Sequence, residues 1–467
     1  MRNSSEHFLH GFLYPESIAI VGASNNPLSV NHVLMTNLLG VGFKGRVYPV
    51  NPKAQEILGL KAYPNVTSIE NPVDLAVVSV PYKNTINILK DCIEKGIKRV
   101  VITAGGFSEA GEEGKRIQEE MAGILKANGI RAIGPNALSP INTSTNLAIG
   151  FYPLLGLKKG GLSLIFQSGL YEPRMNRMFS DLNLGLNKLI DLGNKMDINE
   201  VDALSYLAND PETRVIGIHL ESIEGDGKEF QRLIHEISKH KHIVVLKSGR
   251  TETGARVASS HTGVMVQGSD LVFDAALRQF GAIRANTIEE FFDLSRALER
   301  FGSLLMRGER IALATFPGGE AVISTDICQQ SGLSVAQVGE EARMRLSTVS
   351  PPWEVLSNPL DLGICTQFHD IRLVFKTFIE SMIEDSNVDA IALEVIEIAV
   401  HKEVLEDFHL AVDAGKPIVV WVPEVRAGTS KALKWLEDQR IPVFPSGPNA
   451  MKALSALYRS SIFKLRV

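Results

Sequence analysis

Cysteine is scarce: three residues in 467, Cys92, Cys328 and Cys365, lie far apart along the chain. No CxxC pair points to zinc or thiol redox work, and three scattered cysteines give no disulfide framework. Cys92 and Cys328 fall in helical patterns, where a small buried thiol is expected. Excess charge is equally missing. The formal net is −5 with no Lys/Arg block, whereas a nucleic-acid binder of this size needs a basic stripe to recruit phosphates. Long hydrophobic runs are absent too. The opening stretch MRNSSEHFLHGFLYPES has no long apolar region, and SLIF and IVVL are strand-sized against the roughly 18 residues of a membrane span. With nucleic acid and membrane set aside, a cytoplasmic location is expected.

Two nucleotide signatures are lacking as well. No GxGxxG follows the first strand, and the second strand ends Val50-Asn51-Pro52 without a ribose-binding acid, which speaks against nicotinamide; no GxxxxGK[ST] occurs.

What is present is an ordinary globular composition, 45% hydrophobic, in a chain long enough for two to four domains. Short apolar strands alternate with helical patterns, which predicts parallel sheets covered on both faces. The first unit has strands at 17–21, 46–50, 74–80, 99–103 and 130–133 and ends near Asn146. A second starts at Leu162–Phe166, with strands at 188–192, 214–220 and 242–247 and a helix over 174–181. A patterned helix over 287–301 closes it. The third carries strands at 311–315, 390–395 and 417–422, with 340–351 read as a loop or linker. Rossmann-like and flavodoxin-like domains are the default for such alternation.

Gly22-Ala23-Ser24-Asn25-Asn26-Pro27 follows the first strand. There a small residue lets a phosphate approach backbone amides and the next helix's N-terminus stabilises the anion, while Ser24 can donate directly. A tight turn alone would use the same residues. Val80-Pro81 and Thr103-Ala104-Gly105-Gly106 are further strand-end loops on the same side, and Lys83 is a candidate phosphate contact or a solvated lysine. Gly134-Pro135-Asn136 presents Asn136 from a constrained turn. Gln167-Ser168-Gly169 offers a second anion nest, or a simple helix cap.

His261 stands apart among eleven histidines. It lies in a Ser259-Ser260-His261-Thr262-Gly263 loop of small and hydroxyl residues, outside any apolar face. A neutral imidazole can attack phosphorus and pass the phosphoryl group on. A carboxylate would orient the ring, and Glu221, at the end of the strand 214–220, is the best candidate.

These residues resemble the alpha subunit of the nucleoside-diphosphate-forming acetyl-CoA and acyl-CoA synthetases and, more distantly, of succinyl-CoA synthetase. The matches are FLYPESIAIVGAS, GRVYPVNPK, PVDLAVVSVP, TAGGFSEAG, GPN, QSG, DLGNKMDINEVD, LKSGRTETGARVASSHTG and SNPLDL, spanning roughly residues 12–362. The resemblance implies a Rossmann-like CoA-binding domain over 1–146, a flavodoxin-like phosphohistidine domain over 155–305 and an additional flavodoxin-like domain over 306–467. Coenzyme A would lie against Gly22, Ala23, Ser24, Asn25, Asn26, Lys53, Val80, Pro81, Lys83, Thr103 and Gly105, with Asn136 at its thiol end. His261 maps onto the phosphorylated histidine, Glu221 onto its companion, and Gln167, Ser168 and Gly169 onto the phosphate-binding loop. The expected reaction is acyl-CoA + NDP + phosphate ⇌ carboxylic acid + CoA + NTP. No ATP-grasp domain is recognisable in the chain, so nucleotide and Mg2+ are expected on a separate ATP-grasp beta subunit in an alpha2beta2 assembly. Neither nucleic acid nor a membrane is an expected partner.

Departures gather in one half of the implied site. Asn31 and Ala137 replace a usual Gly and Cys, Ser139 replaces a Gly, and Leu170-Tyr171-Glu172-Pro173-Arg174 replaces a run of small residues. Altered substrate choice or a regulatory CoA-binding role are both compatible with them.

Overall fold

Ser17–Val21 (β1) and Leu75–Val78 (β3) are uninterrupted aliphatic and small residues, and every one of them is buried. In the computed structural model they are the central strands of a sheet with a helix-bearing connection on each side, which explains why no polar residue alternates along them. The structure describes residues 4–154, 156–175, 184–262, 269–316, 318–353, 357–423 and 430–466, without the side chains of 259–262.

Arg46–Val50 (β2), Arg99–Ile102 (β4) and Arg131–Ile133 (β5) complete a five-stranded parallel sheet in the order β2-β1-β3-β4-β5. Helix Val30–Gly40 (α1) follows β1, and Thr85–Lys95 (α2) and Glu112–Ala127 (α3) follow β3 and β4. The order reverses between β1 and β3, so their carboxyl ends open a crevice there.

The next strands belong to a second sheet. Ile141–Asn142 (β6) and Leu147–Ala148 (β7) form an antiparallel edge, so the chain enters this sheet before residue 146. Lys158–Phe166 (β8), Gly185–Asp191 (β9), Val215–Leu220 (β10), His242–Lys247 (β11) and Ile283–Ala285 (β12) complete the order β12-β11-β10-β8-β9-β6-β7. Helix Glu200–Ala208 (α4) starts at a capping box. Asn199 accepts from Val201 N and Asp202 N, and the Asp202 carboxylate accepts from Asn199 N, which is the local reason for the string DINEVD. Gly227–Ser238 (α5), Glu252–Thr262 (α6) and Asp270–Gln279 (α7) follow. Both sheets share one apolar core, in which Ile18, Ile20, Leu34 and Ile133 of the first join Ile165, Ile190, Ile218 and Leu220 of the second. Polar ties reinforce it: Asp197 accepts from Arg131 Nε (2.9 Å) and Ala132 N (2.8 Å).

Both sheets fall in one compact unit that runs to Asn286; the other takes in Thr287–Val467 and a short piece, Ser238–His242. Helix Ile288–Phe301 (α8), read from sequence as the close of the second domain, packs on the C-terminal helix of this last unit. The reason is electrostatic as well as apolar. Arg296, 2% exposed, pairs with Glu437, donates to Val443 O (2.8 Å) and lies over the Phe444 ring. The third sheet comprises Arg310–Thr315 (β13), Ser334–Val335 (β14), Leu360–Asp361 (β15), Ala390–Glu394 (β16), Ile418–Trp421 (β17) and Val443–Phe444 (β18). Its order is β14-β13-β16-β17-β18 with β15 also on β13, all five pairings parallel among the described residues. The stretch read as a linker over 340–351 contains a helix, Glu340–Ser347, whose buried Ala342 and Leu346 at a four-residue spacing give it an inward face. All three cysteines are buried and none is in a disulfide. Among the described residues no helix is long and apolar enough to cross a membrane.

Candidate active site

At the crevice between β1 and β3, Gly22 takes φ +99°, and a Cβ there would stand 2.2 Å from the Ser79 carbonyl oxygen. Only glycine lets the two strand-end loops pass so closely. Asn31, in the first turn of α1, donates to Gly22 O (2.8 Å) and Ser79 O (2.9 Å) and accepts from the Ser79 hydroxyl. The residue that departs from the family's glycine is therefore a bridge across this crevice. Asn25 is held by Glu56 O and Leu58 N, and Asn51 donates to Ala23 O. Ser24 accepts from Asn26 N, which leaves its own hydrogen for a ligand.

Asn25, Asn26, Lys53, Pro81, Lys83 and Gly105 are exposed, Gly22, Ser24 and Val80 are half-buried, and Ala23 and Thr103 are buried. Thr103 spends its hydroxyl on Val78 O (3.2 Å), so Ala23 and Thr103 shape the loops rather than present atoms. Lys83 lies 3.8 Å from Glu113, an exposed pair of little energetic weight. The donor set, exposed loop residues at a helix start with two lysines beside them, fits a phosphate-bearing ligand.

Asn136 sits at φ +60° and donates its N–H to Ala104 O (2.9 Å). A Cβ built on Gly105 would lie 3.4 Å from Asn136 Oδ1 and 3.1 Å from Glu109 Oε1, which defines a small polar cradle. Glu109 accepts from Gly106 N (2.6 Å) and from Asn194 Nδ2 (2.6 Å). Asn194 in turn donates its N–H to Pro135 O (2.9 Å), and Gly193 must be glycine because a Cβ would be 2.1 Å from that same oxygen. The Asn136 turn is thus docked on the loop that follows β9.

The carboxyl ends of β8, β10 and β11 form the second group. Gln167, 4% exposed, accepts from Glu221 N (2.8 Å) and Ser222 N (3.1 Å) and donates to the Ser222 hydroxyl (3.1 Å). It fixes the Glu221 backbone instead of offering an open amide. Ser168 and Gly169 are half-buried, and Gly169 faces Leu138, 2.8 Å from where a Cβ would be. Two lysines complete the lock. Lys195 donates to Ser222 O (2.7 Å) and Glu200 Oε2 (2.8 Å), and Lys247 to Glu221 O (2.7 Å) and Ser248 O (2.6 Å). Burial lowers both ammonium groups from their usual value, against the pull of Glu200 on Lys195 and Asp270 on Lys247. His219, two residues before Glu221, shares a 2.8 Å bond with the Ser248 hydroxyl. Burial, aided by Lys195 and Lys247, pushes its imidazole down to about 3.

His261 lies in the last turn of α6, not in the loop expected from its small neighbours; its side chain, and Gly263, fall outside the described residues. Small residues such as Gly254, Ala255, Ala258, Ser259 and Ser260 need no apolar partner to form a helix, and Thr251 supplies a turn by accepting from Gly254 N (3.0 Å). The start of this helix follows directly on Lys247–Thr251. The helix runs beside the turn Ser108–Ala110, which brings it to the Glu109 loop. The helix expected over 174–181 begins at Glu172, and residues 176–181 lie outside the described residues. Among the described residues no group of His, Cys, Asp and Glu is arranged to hold a metal.

Glu109, Asn194, Lys195 and His219 were not singled out by sequence reasoning. Three of them sit inside TAGGFSEAG and DLGNKMDINEVD, strings whose glycines and polar residues signal a loop but give no hint of partners. His219 is masked by an otherwise apolar strand.

Two family descriptions match the chain: a CoA binding domain over residues 16–141, and a succinyl-CoA ligase like flavodoxin domain over residues 159–298. The alpha subunit of ADP-forming acetate–CoA ligase I of Pyrococcus furiosus is 34% identical, covering 98% of this chain and 99% of that one. ADP-forming acetate–CoA ligase II of Archaeoglobus fulgidus is 34% identical over 96% of this chain, which spans 66% of that protein's length. A solved structure from Ca. Korarchaeum cryptofilum, a dinucleotide forming acetyl-coenzyme A synthetase 1 in complex with phosphate and ADP, superposes with a TM-score of 0.87 at 32% identity, 98% of each chain being covered.

Proposed function

The chain belongs to the ADP-forming acetate–CoA ligase family, as a relative of its alpha subunits, and from that premise we propose that it is the alpha subunit of an NDP-forming acyl-CoA synthetase. The reading divides the chain at 1–146, 155–305 and 306–467 and assigns it to the cytoplasm. Acyl-CoA would lie along the β1/β3 crevice, its phosphates at Ser24–Asn26 with Lys53 and Lys83 near, and its thioester at the Gly105–Asn136 cradle. Phosphate attacks the thioester carbonyl, the C–S bond breaks, and an acyl phosphate and CoA result. The His261 imidazole then takes the phosphoryl group and the carboxylate leaves. Glu221 stabilises the positive ring and Ser168–Gly169 amides receive the phosphoryl oxygens. A separate ATP-grasp beta subunit, in an alpha2beta2 assembly, would supply the nucleotide and Mg2+ that accept the group from His261.

One observation carries this reading beyond likeness. The helix bearing His261 follows the segment in which Lys247 holds Glu221 O, and it runs past Ser108–Ala110, so the chain leads from the proposed phosphate side to the proposed thioester side. The test is the chain copurified with its ATP-grasp partner and incubated with gamma-labelled ATP. Base-stable, acid-labile label on this chain, absent from His261→Asn, is expected. Label retained by His261→Asn, or CoA binding with no label in the complete complex, overturns it in favour of a regulatory protein.

A further inference from the structure

Lys247 is the last residue of β11, and its position differs from that of an ordinary strand-end lysine. Its ammonium reaches sideways to Glu221 O on the neighbouring strand and forward to Ser248 O, the first residue on the way to α6. Ser248 is held twice more, by N–H donation to Leu220 O (2.8 Å) and by its hydroxyl on His219 Nε2 (2.8 Å). Immediately after it Gly249 turns into the left-handed region at φ +67°, and helix α6 starts three residues later. The path to His261 is therefore pinned at residue 248 and turns at 249.

Two carbonyl oxygens could be satisfied by neutral donors or by water. A half-buried ammonium carries a desolvation cost instead, which suits a place where an anion arrives. Its two carbonyls use two of three hydrogens, so one remains for a phosphoryl oxygen.

Resting on the proposed phosphohistidine chemistry, we infer that Lys247 is a positioning residue of that step. It ties the Glu221 loop to the root of the His261 helix and sets a fixed positive charge beside Glu221. The other charged or titratable groups around Glu221 and Lys247 are His219 on β10, Lys195 and Glu200, Glu224 on the following turn, and Asp270 with Arg284. Of these, His219 also reaches Ser248, at its hydroxyl, but only Lys247 bonds both Ser248 O and Glu221 O among the described residues.

The experiment compares Lys247→Met and Lys247→Arg in the complete alpha–beta complex. Three readouts are taken: amide hydrogen exchange over residues 221–222 and 248–254, single-turnover labelling from gamma-labelled ATP, and the pH profile of the forward reaction. Lys247→Met should exchange faster in both segments and label about 100-fold more slowly. Its KM for acyl-CoA should stay near that of the unaltered complex, and the acid limb of its kcat profile should move to higher pH because Glu221 has lost a positive neighbour. Lys247→Arg should restore most of the labelling. Unchanged exchange overturns the tie whether or not the complex labels at all. Parallel losses in KM and kcat, with an unmoved acid limb and no rescue by Arg, would make Lys247 a packing residue and overturn the inference. An unaltered complex that never labels counts against the phosphohistidine reading alone, since the exchange result still decides the tie.

Discussion

Glu172→Gln gives a stability measurement in which structure fixes both sign and size. The Glu172 carboxylate is wholly buried and accepts from Phe151 N at 3.0 Å and 3.2 Å through its two oxygens. Gly150 makes the room, since a Cβ there would be 2.2 Å from Glu172 Oε1. Burial pushes the carboxyl up to about 8, Asp191 nearby adds to it, and the Phe151 and Tyr152 amides oppose. Between pH 4.5 and about 8 the unfolded chain releases a proton that the folded one keeps, so stability is highest below that window and falls as pH rises through it. At about 1.4 kcal/mol per pKa unit the whole window is worth roughly 5 kcal/mol. The amide variant keeps the acceptor for Phe151 N and cannot ionise, but buries an extra N–H that costs roughly 1–3 kcal/mol. It should therefore be no more stable than the parent at pH 5 and more stable by about 2–4 kcal/mol at pH 9. Tryptophan fluorescence is the wrong probe, because Trp353, Trp421 and Trp435 all lie beyond Thr287. Urea-dependent amide exchange of β8 and β9 reports the right unit. Parallel pH dependences for parent and variant would refute the reasoning; Asp191, raised to about 7 by its own burial, adds the same falling slope below that pH to both, so the difference between them reports Glu172.

Three more measurements follow from named contacts. Gln167→Leu removes the acceptor of two buried amides and the donor to Ser222; a loss of about 2–4 kcal/mol in amide-exchange stability is expected, together with lost labelling of His261. Glu437→Gln leaves Arg296 buried beside a neutral partner, and tryptophan-monitored urea unfolding of the last unit should show about 3 kcal/mol less stability. His219, held neutral down to about pH 3, makes stability fall as pH drops below 6.5, where the unfolded imidazole takes a proton and the folded one does not. His219→Gln should flatten that acid slope in β10 amide exchange.

The fold was legible because apolar strands and glycine-bearing strand ends announce themselves locally. Gly22 sits where expected because its φ of +99° and the Ser79 carbonyl 2.2 Å from where a Cβ would stand exclude other residue types. What sequence could not show is pairing across strands. Gln167 reads as an anion-binding amide until Glu221 N and Ser222 N are found on its oxygen. Nothing in the string DLGNKMDINEVD marks Lys195 as a residue buried against Glu200 and Ser222 O. His261 was read into a loop because small residues are ambiguous between loop and helix, and only its neighbours' hydrogen bonds decide. The helix over 287–301 closes the second unit in the sequence reading, while in the structure it packs on the C-terminal helix, for a related reason: periodicity tells which face is buried and not what buries it.

The departures near the thioester end bear on whether the site has decayed or been reshaped. Substitutions accumulated without function leave cavities and unpaired polar groups, because nothing selects their repair. Here the altered residues answer one another. Ala137 is buried, the Ser139 hydroxyl donates to Asp191 O (2.9 Å), and Leu138 N donates to Asp191 Oδ2 (2.7 Å). Tyr171 lies against the Phe166 ring and donates to Leu138 O, while Glu172 fills the space that Gly150 leaves. Each polar atom that these changes introduce is hydrogen-bonded, which ties positions 137–139 to 170–172 as one packed set. Such a set argues that the proposed thioester end has been repacked rather than eroded. Paired Tyr171→Thr and Glu172→Ala changes should then broaden acyl selectivity, whereas a decayed site would gain nothing from them. Comparing kcat/KM for short and long acyl-CoA before and after the pair decides between the two; an unchanged ratio defeats the reshaped-pocket argument.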